Sequence, residues 1–92
     1  MITYAYESEN ERVVARLEDG TEIGELTYYV ENGVWHANHT GVDPSQRGKN
    51  VAGNMLQLFI EEARKQNVKV KPLCSYVVKG MVGKEEYADL LA

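Results

Sequence analysis

The chain has little cysteine, no long apolar run and almost no positive charge in its first half, and each shortage excludes something. The single cysteine, Cys74, rules out an internal disulfide and a multi-cysteine zinc site, so it is either a packed thiol or a chemical one. No apolar stretch approaches membrane-spanning length, and the N-terminus lacks the charged-then-apolar layout of a leader, so the expected location is cytoplasmic. There is no repeat, linker or low-complexity segment, and no Gly-x4-Gly-Lys-Ser/Thr nucleotide loop. His36 and His39, three apart on a strand with no third ligand nearby, give no metal site.

What is present describes one compact unit spanning residues 1–92, with 43% hydrophobic residues and a core large enough to fold alone. Residues 1–45 hold nine acids against Arg12 and Arg16, whereas residues 46–92 hold eight bases against five acids. That asymmetry favours an anionic small ligand on the second half, while a net charge of −4 argues against nucleic acid. Tyr4, Tyr6, Tyr28 and Tyr29 sit among acids and read as core and sheet surface rather than a base-stacking platform.

Periodicity makes the first half strand-like. Residues 2–7 form a short strand and Arg12 to Leu17 a second, followed by a hairpin turn at Glu18-Asp19-Gly20-Thr21. A third strand runs from Glu22 to Val30, with Gly24 marking a bulge or a close approach. Asn32-Gly33 turns the chain into a strand from Val34 to Val42. Strict alternation there puts Trp35, Ala37 and His39 on one face and His36, Asn38, Thr40 and Val42 on the other. Pro44 ends the strand, and Ser45 or Asp43 caps a helix starting near Gln46 or Arg47. Ala52, Met55, Leu56, Phe59 and Ala63 make that helix amphipathic, and Asn67 is its left-handed terminator. Val68 to Leu73 reads as a fifth strand, and Ser75 to Lys79 and Lys84 to Leu91 as short helices. This order predicts an α+β fold with a mostly antiparallel sheet and one parallel pair, whose splayed ends leave a cleft at the helix start.

The connection from Gly41 to Gly53 is suited to phosphate. First-turn amides lack intrahelical partners, the helix dipole adds partial positive charge, Gly48 lets a ligand approach the backbone, and Arg47 and Lys49 add full charges.

The run Val42-Asp43-Pro44-Ser45-Gln46-Arg47-Gly48-Lys49-Asn50-Val51-Ala52 between strand and helix resembles the acyl-CoA motif of the GCN5-related N-acetyltransferase superfamily. With Arg47 at the motif's first position, Ala52 matches its end and Asn50 stands where the motif has glycine. His39-Thr40 before the loop and Pro72-x-Cys74-Ser75-Tyr76-Val77 after the next strand are similar to a minimal single-domain subfamily of about this length. The resemblance covers residues 10 to 90 and implies a truncated acyl-CoA N-acyltransferase-like fold. It further implies acetyl-CoA as donor and a primary amine as acceptor; separately, an open cleft in so short a domain would suit a macromolecular or protein-borne amine.

By the same resemblance, the amides from Arg47 through Gly48, Lys49, Asn50 and Val51 to Ala52 cradle the CoA pyrophosphate. The Val42 main chain pairs with the pantetheine arm, and Thr40 lies beside it. Cys74, His39 and Tyr76 then surround the thioester. Cys74 either lines the site or, as thiolate, accepts the acyl group. Tyr76 either protonates the departing thiolate or merely packs with its hydroxyl in water. His39 is a general base or a hydrogen-bonded residue filling the sheet beside Trp35. The alternative function is a CoA-binding or interaction module that keeps the pocket without turnover, a choice favoured by the Asn50 departure and the absent acceptor-side helices.

Overall fold

The computed structural model describes residues 1–92. Five strands, β1 (Thr3–Glu7), β2 (Arg12–Arg16), β3 (Glu22–Glu31), β4 (Val34–Val42) and β5 (Lys69–Pro72), lie side by side in chain order. The first four form an antiparallel meander, and β5 joins β4 in parallel through the crossover helix α1 (Val51–Gln66). A short helix α2 (Ser75–Met81) follows β5. The fold is thus α+β with the one parallel pair that the sequence order demands.

Turn chemistry sets the meander. Asn32 and Gly33 take φ of 53° and 74°, the left-handed pair that reverses β3 into β4 without splaying the strands. Asn67 ends α1 at φ 55°, with its amide donating to the carbonyls of Ala63 and Arg64.

Both helices pack on one face. There Met55, Phe59 and Ala63 of α1 and Val77 and Met81 of α2 are fully buried against Val13, Leu26, Ala37 and Val70 of the sheet. Tyr28 stacks on Trp35 at 4.4 Å between ring centroids, and Phe59 tilts against both at 5.6 Å. The Tyr6 and Tyr28 hydroxyls share a hydrogen bond of 2.7 Å, so the polar tips inside this cluster are satisfied. The other face carries no helix. Arg12 and Arg16 extend over it to Glu7, Glu22 and Glu25, and between them Val14 is fully buried on the exposed side of the sheet. The arginine stems exclude water from a valine that no helix covers.

Three expectations change. The first is the facing of β4. Thr27 pairs with His39 but Tyr28 pairs with Ala37, so Asn38 is an extra residue in β4. One inserted residue reverses parity. Thr40 and Val42, opposite Leu26 and Gly24, therefore join Trp35 and Ala37 on the helix face, and His39 turns to the open face.

The second is the start of α1. Pro44–Gln46 is a single 3-10 turn, capped by Asp43 Oδ1 accepting from the Ser45 amide at 2.9 Å, and α1 begins only at Val51. Arg47 is extended, and Gly48 and Asn50 are left-handed, conformations that no helix continues.

The third is the tail. Only Glu85–Tyr87 forms a 3-10 turn, after which Leu91 bridges Val70 in parallel and Ala92 donates its amide to the Val70 carbonyl. Arg64 anchors this tail on Asp89 at 2.8 Å. At Gly24, of the bulge and the close approach that the sequence leaves open, the close approach of α1 to the sheet holds, and the bulge falls on Ile23, between the pairs Ala15–Gly24 and Arg16–Glu22.

Candidate functional site

β4 and β5 stay paired only as far as Ala37 and Pro72. The amides of Leu73 and Cys74 both converge on the Ala37 carbonyl, at 2.9 and 3.0 Å, and β5 then turns away into α2. From Asn38 onward, β4 has lost its neighbour on that side while remaining paired to β3 on the other. A free strand edge with unpaired amide and carbonyl groups can take an extended ligand as an added strand.

At the end of that edge lies the 44–50 connection. Because Asn50 is left-handed and its side chain makes no cap, the first intrahelical bond of α1 is Asn54 N–H to the Asn50 carbonyl, at 3.0 Å. The amides from Gly48 through Gly53 have no hydrogen-bond partner within the protein. Consecutive free donors at the positive end of a helix form a nest for an anion. The Asn50 side chain lies against Gly53, where any Cβ would stand 2.3 Å from Asn50 Oδ1. Gly24 lets the first turn sit flush on the sheet, since a Cβ there would meet Met55 Cε at 3.2 Å and both the Gly41 carbonyl oxygen and Val51 Cγ1 at 3.3 Å.

These elements enclose a cavity of about 570 Å3. It gathers Val42, Arg47, Gly48, Asn50, Val51, Ala52 and Tyr76, which the sequence assigns to the site, together with Gln46 and Gly53, which lie within the connection suited to phosphate but carry no assigned role there. Gln46 became a lining residue because the chain there is a 3-10 turn rather than the first turn of α1. Gly53 had a signal in the sequence, a helix interior glycine with no turn to make. Lys49 stays outside the lining and donates from Nζ to Gln46 Oε1 at 2.9 Å.

The remaining site residues divide across the sheet. Cys74 is half-buried on the helix face, its thiol 3.4 Å from the Thr40 hydroxyl. Burial pushes its pKa up, but the hydrogen bond between the Cys74 sulfur and the Thr40 hydroxyl and those with the amides of Val77, Tyr76 and Thr40 outweigh this, and the thiol is held below its ordinary value. His39 stands on the open face in a separate groove of about 370 Å3, bordered by Glu22, Glu25, Gly41 and Asp43. The two cavities meet at Val42, which lines both. The structure therefore brings Thr40 to Cys74 and sets His39 apart from them, on the other face of the same strand.

No three histidine, cysteine or acidic side chains come together to hold a metal ion, and no helix is long and apolar enough to cross a membrane.

Comparison with known structures shows the same fold elsewhere. The solution structure of a GCN5-like protein from Staphylococcus aureus superposes with a TM-score of 0.73 at 23% identity, covering 98% of this chain and 87% of that one. A ribosomal-protein-alanine N-acetyltransferase from Brucella melitensis biovar Abortus 2308 gives 0.55 at 20% identity over 68% of this chain and 48% of its own. Nourseothricin acetyltransferase gives 0.54 at 19% identity over 83% and 50%. The chain thus spans about half the length of these two larger enzymes. No curated protein sequence matches it. The family model for GCN5-related N-acetyltransferases, however, matches residues 5–90, nearly the whole chain. The chain belongs to the GCN5-related N-acetyltransferase family.

Proposed function

We propose that the protein binds acetyl-CoA between β4 and β5 and transfers the acetyl group to a primary amine. The observation that carries this reading is the run of free amides from Gly48 to Gly53 at the start of α1, lining a cavity beside an unpaired strand edge. The cavity is wide enough for a pyrophosphate, Arg47 supplies a planar cation for it, and Gly48 and Gly53 keep the backbone accessible. The edge of β4 up to Val42 then receives the pantetheine amides, leading the thioester toward Cys74 and Thr40.

Bound acetyl-CoA supplies an activated carbonyl. The chain's own residues orient it and move protons. An amine nitrogen attacks the carbonyl carbon, forming a C–N bond as the C–S bond breaks; one amine proton passes through intervening water past Val42 to His39, on the other face of β4, and on to solvent. Tyr76 gives its hydroxyl proton to the departing thiolate and recovers one from solvent. Cys74 lines the acyl position. Its face, opposite that of His39, leaves the thiol without a neighbouring base and favours direct attack over an acyl-cysteine intermediate.

The test is release of free CoA thiol from acetyl-CoA in the presence of a panel of amines. Wild type should turn over at least one amine, His39→Ala and Tyr76→Phe should each lose tenfold or more in kcat, and Cys74→Ala should retain most activity. If Cys74→Ala abolishes turnover and wild type accumulates acetylated Cys74 by intact mass, transfer is covalent. CoA binding with no turnover of any amine would instead support a CoA-binding module without catalysis.

A further inference from the structure

Resting on the reading above, we propose that the donor this chain prefers carries a straight aliphatic acyl group longer than acetyl, whose tail lies in an apolar groove along α2. The groove, of about 600 Å3, is lined by Leu73, Ser75, Tyr76, Val78 and Lys79. Tyr76 also lines the cofactor cavity, so the two spaces meet at that side chain. Cys74, which lines the acyl position, stands in the chain between Leu73 and Ser75, and both of these border the groove. An acyl carbonyl beside the Cys74 thiol is thus next to the groove, and a tail extending from it has this space to enter.

The helix cannot roll to hide this surface. Val77 and Met81 are fully buried, and Gly80 seats α2 against α1, where a Cβ would stand 2.5 Å from Leu56 Cδ2. Ser75, Val78 and Lys79 are left sharing the outward face at helical spacing. Four of the seven exposed large apolar side chains of the whole molecule, Leu73, Tyr76, Val78 and Val82, fall within these ten residues, which sets the patch apart from scattered surface hydrophobics. A two-carbon acetyl group ends beside Cys74 and leaves Leu73 and Val78 in water, whereas a longer tail covers both. The single charged lining residue, Lys79, adds its apolar stem to the wall and keeps its ammonium group in solvent. From Ser75 to Lys79 the helix rises roughly 6 Å, about the reach of four or five methylenes. The transfer step is unchanged: the amine nitrogen forms the C–N bond, the C–S bond breaks, and CoA leaves as its thiol.

The experiment is calorimetric titration of the whole chain with acetyl-CoA, hexanoyl-CoA and adipoyl-CoA, with sedimentation velocity to read the oligomeric state. A fully buried methylene is worth about fourfold in affinity and a half-covered one about twofold, so hexanoyl-CoA, with its four further methylenes, should bind about tenfold to twentyfold tighter than acetyl-CoA. In the Leu73→Ser/Val78→Ser double variant that ratio should fall to about threefold or less. Taking the ratio within each protein removes any change in the shared CoA portion, and circular dichroism shows that the variant is folded. Equal affinity for acetyl-CoA and hexanoyl-CoA, or an unchanged ratio in the double variant, would overturn the proposal. Adipoyl-CoA binding more tightly than hexanoyl-CoA would overturn its aliphatic part and make Lys79 the partner of a carboxylate. A dimer that the double variant dissociates would assign the groove to a second copy of the chain instead. If no acyl-CoA binds, the cofactor reading falls and this proposal with it; if acetyl-CoA binds and hexanoyl-CoA gains nothing, the groove alone falls.

Discussion

Replacing Gly24 by alanine tests how the sheet supports the start of α1. A methyl at this position would stand 3.2 Å from Met55 Cε, 3.3 Å from Val51 Cγ1 and 3.3 Å from the Gly41 carbonyl oxygen. Met55 Cε is the far end of a flexible side chain and yields readily. The Gly41 oxygen is backbone of β4, and Val51 is the first residue of α1, so relief comes only by lifting the helix start or displacing the strand edge. Overpacking of this kind costs about 1–3 kcal/mol. Gly-to-Ala substitution returns about 0.5–1 kcal/mol by reducing the freedom of the unfolded chain. The net is a loss of about 1 kcal/mol, or roughly 4–8 °C in Tm for a domain of this size. Against a total of about 5–14 kcal/mol for 92 residues, the variant stays folded and its binding can be measured. Thermal and urea unfolding give the stability, and CoA titration gives the site. Since the displaced atoms are the first turn and the strand edge, CoA affinity should fall in the same variant. A Gly24→Ala protein as stable as wild type, with unchanged CoA affinity, would refute this account of how the helix start is held.

Three further outcomes follow from the same geometry. Glu7 is held at about 2, against 4.5 for an ordinary carboxyl, by hydrogen bonds from Arg16, then Asn10 and Arg12. The fold therefore binds fewer protons than the unfolded chain between these values, so stability present above about pH 4.5 is lost as the pH falls toward 2, and Tm in Glu7→Gln should fall less steeply over that range. Thr40→Val removes the hydroxyl that stabilises the Cys74 thiolate while keeping its shape, so alkylation of Cys74 by iodoacetamide at neutral pH should slow; an unchanged rate would mean that the hydroxyl does not act on the thiol. Asn50 sits at φ 56°, so Asn50→Gly should leave Tm nearly unchanged, whereas Asn50→Val should cost about 1–2 kcal/mol by the left-handed penalty, read from urea unfolding.

The parts legible in the sequence are those with local chemistry. Asn32-Gly33 and Asn67 take left-handed angles for reasons that reside in the residues themselves, and the stripe of Met55, Phe59 and Ala63 has only one face to bury. The facing of His39 was not legible, because His36 to Gly41 contains no alternating apolar residues that a slip would expose. A bulge among polar and small residues leaves no periodic signature, and its evidence lies in the register against β3. The start of α1 misled for the opposite reason. Asp43-Pro44-Ser45 is a sound capping signal, but it caps a single 3-10 turn, and the left-handed Gly48 and Asn50 delay the helix to Val51. At the tail, helical spacing from Lys84 to Leu91 lost to the open edge of β5, where the Val70 amide donates to the Leu90 carbonyl and the Val70 carbonyl accepts from the Ala92 amide. Of the candidate site, the connection from Arg47 to Ala52 was readable as a motif, while its division from the His39 groove needed the bulge.

The most direct test of the central claim is the melting temperature of the protein with and without CoA. A ligand that binds only the folded state at one hundred times its Kd stabilises it by about 2.7 kcal/mol. CoA at one hundred times its Kd should raise Tm by roughly 10–20 °C, and the double variant Arg47→Gln/Lys49→Gln should lose much of that rise. A transition that excess CoA leaves unmoved would contradict the assignment of the loop from Arg47 to Ala52 as its binding site.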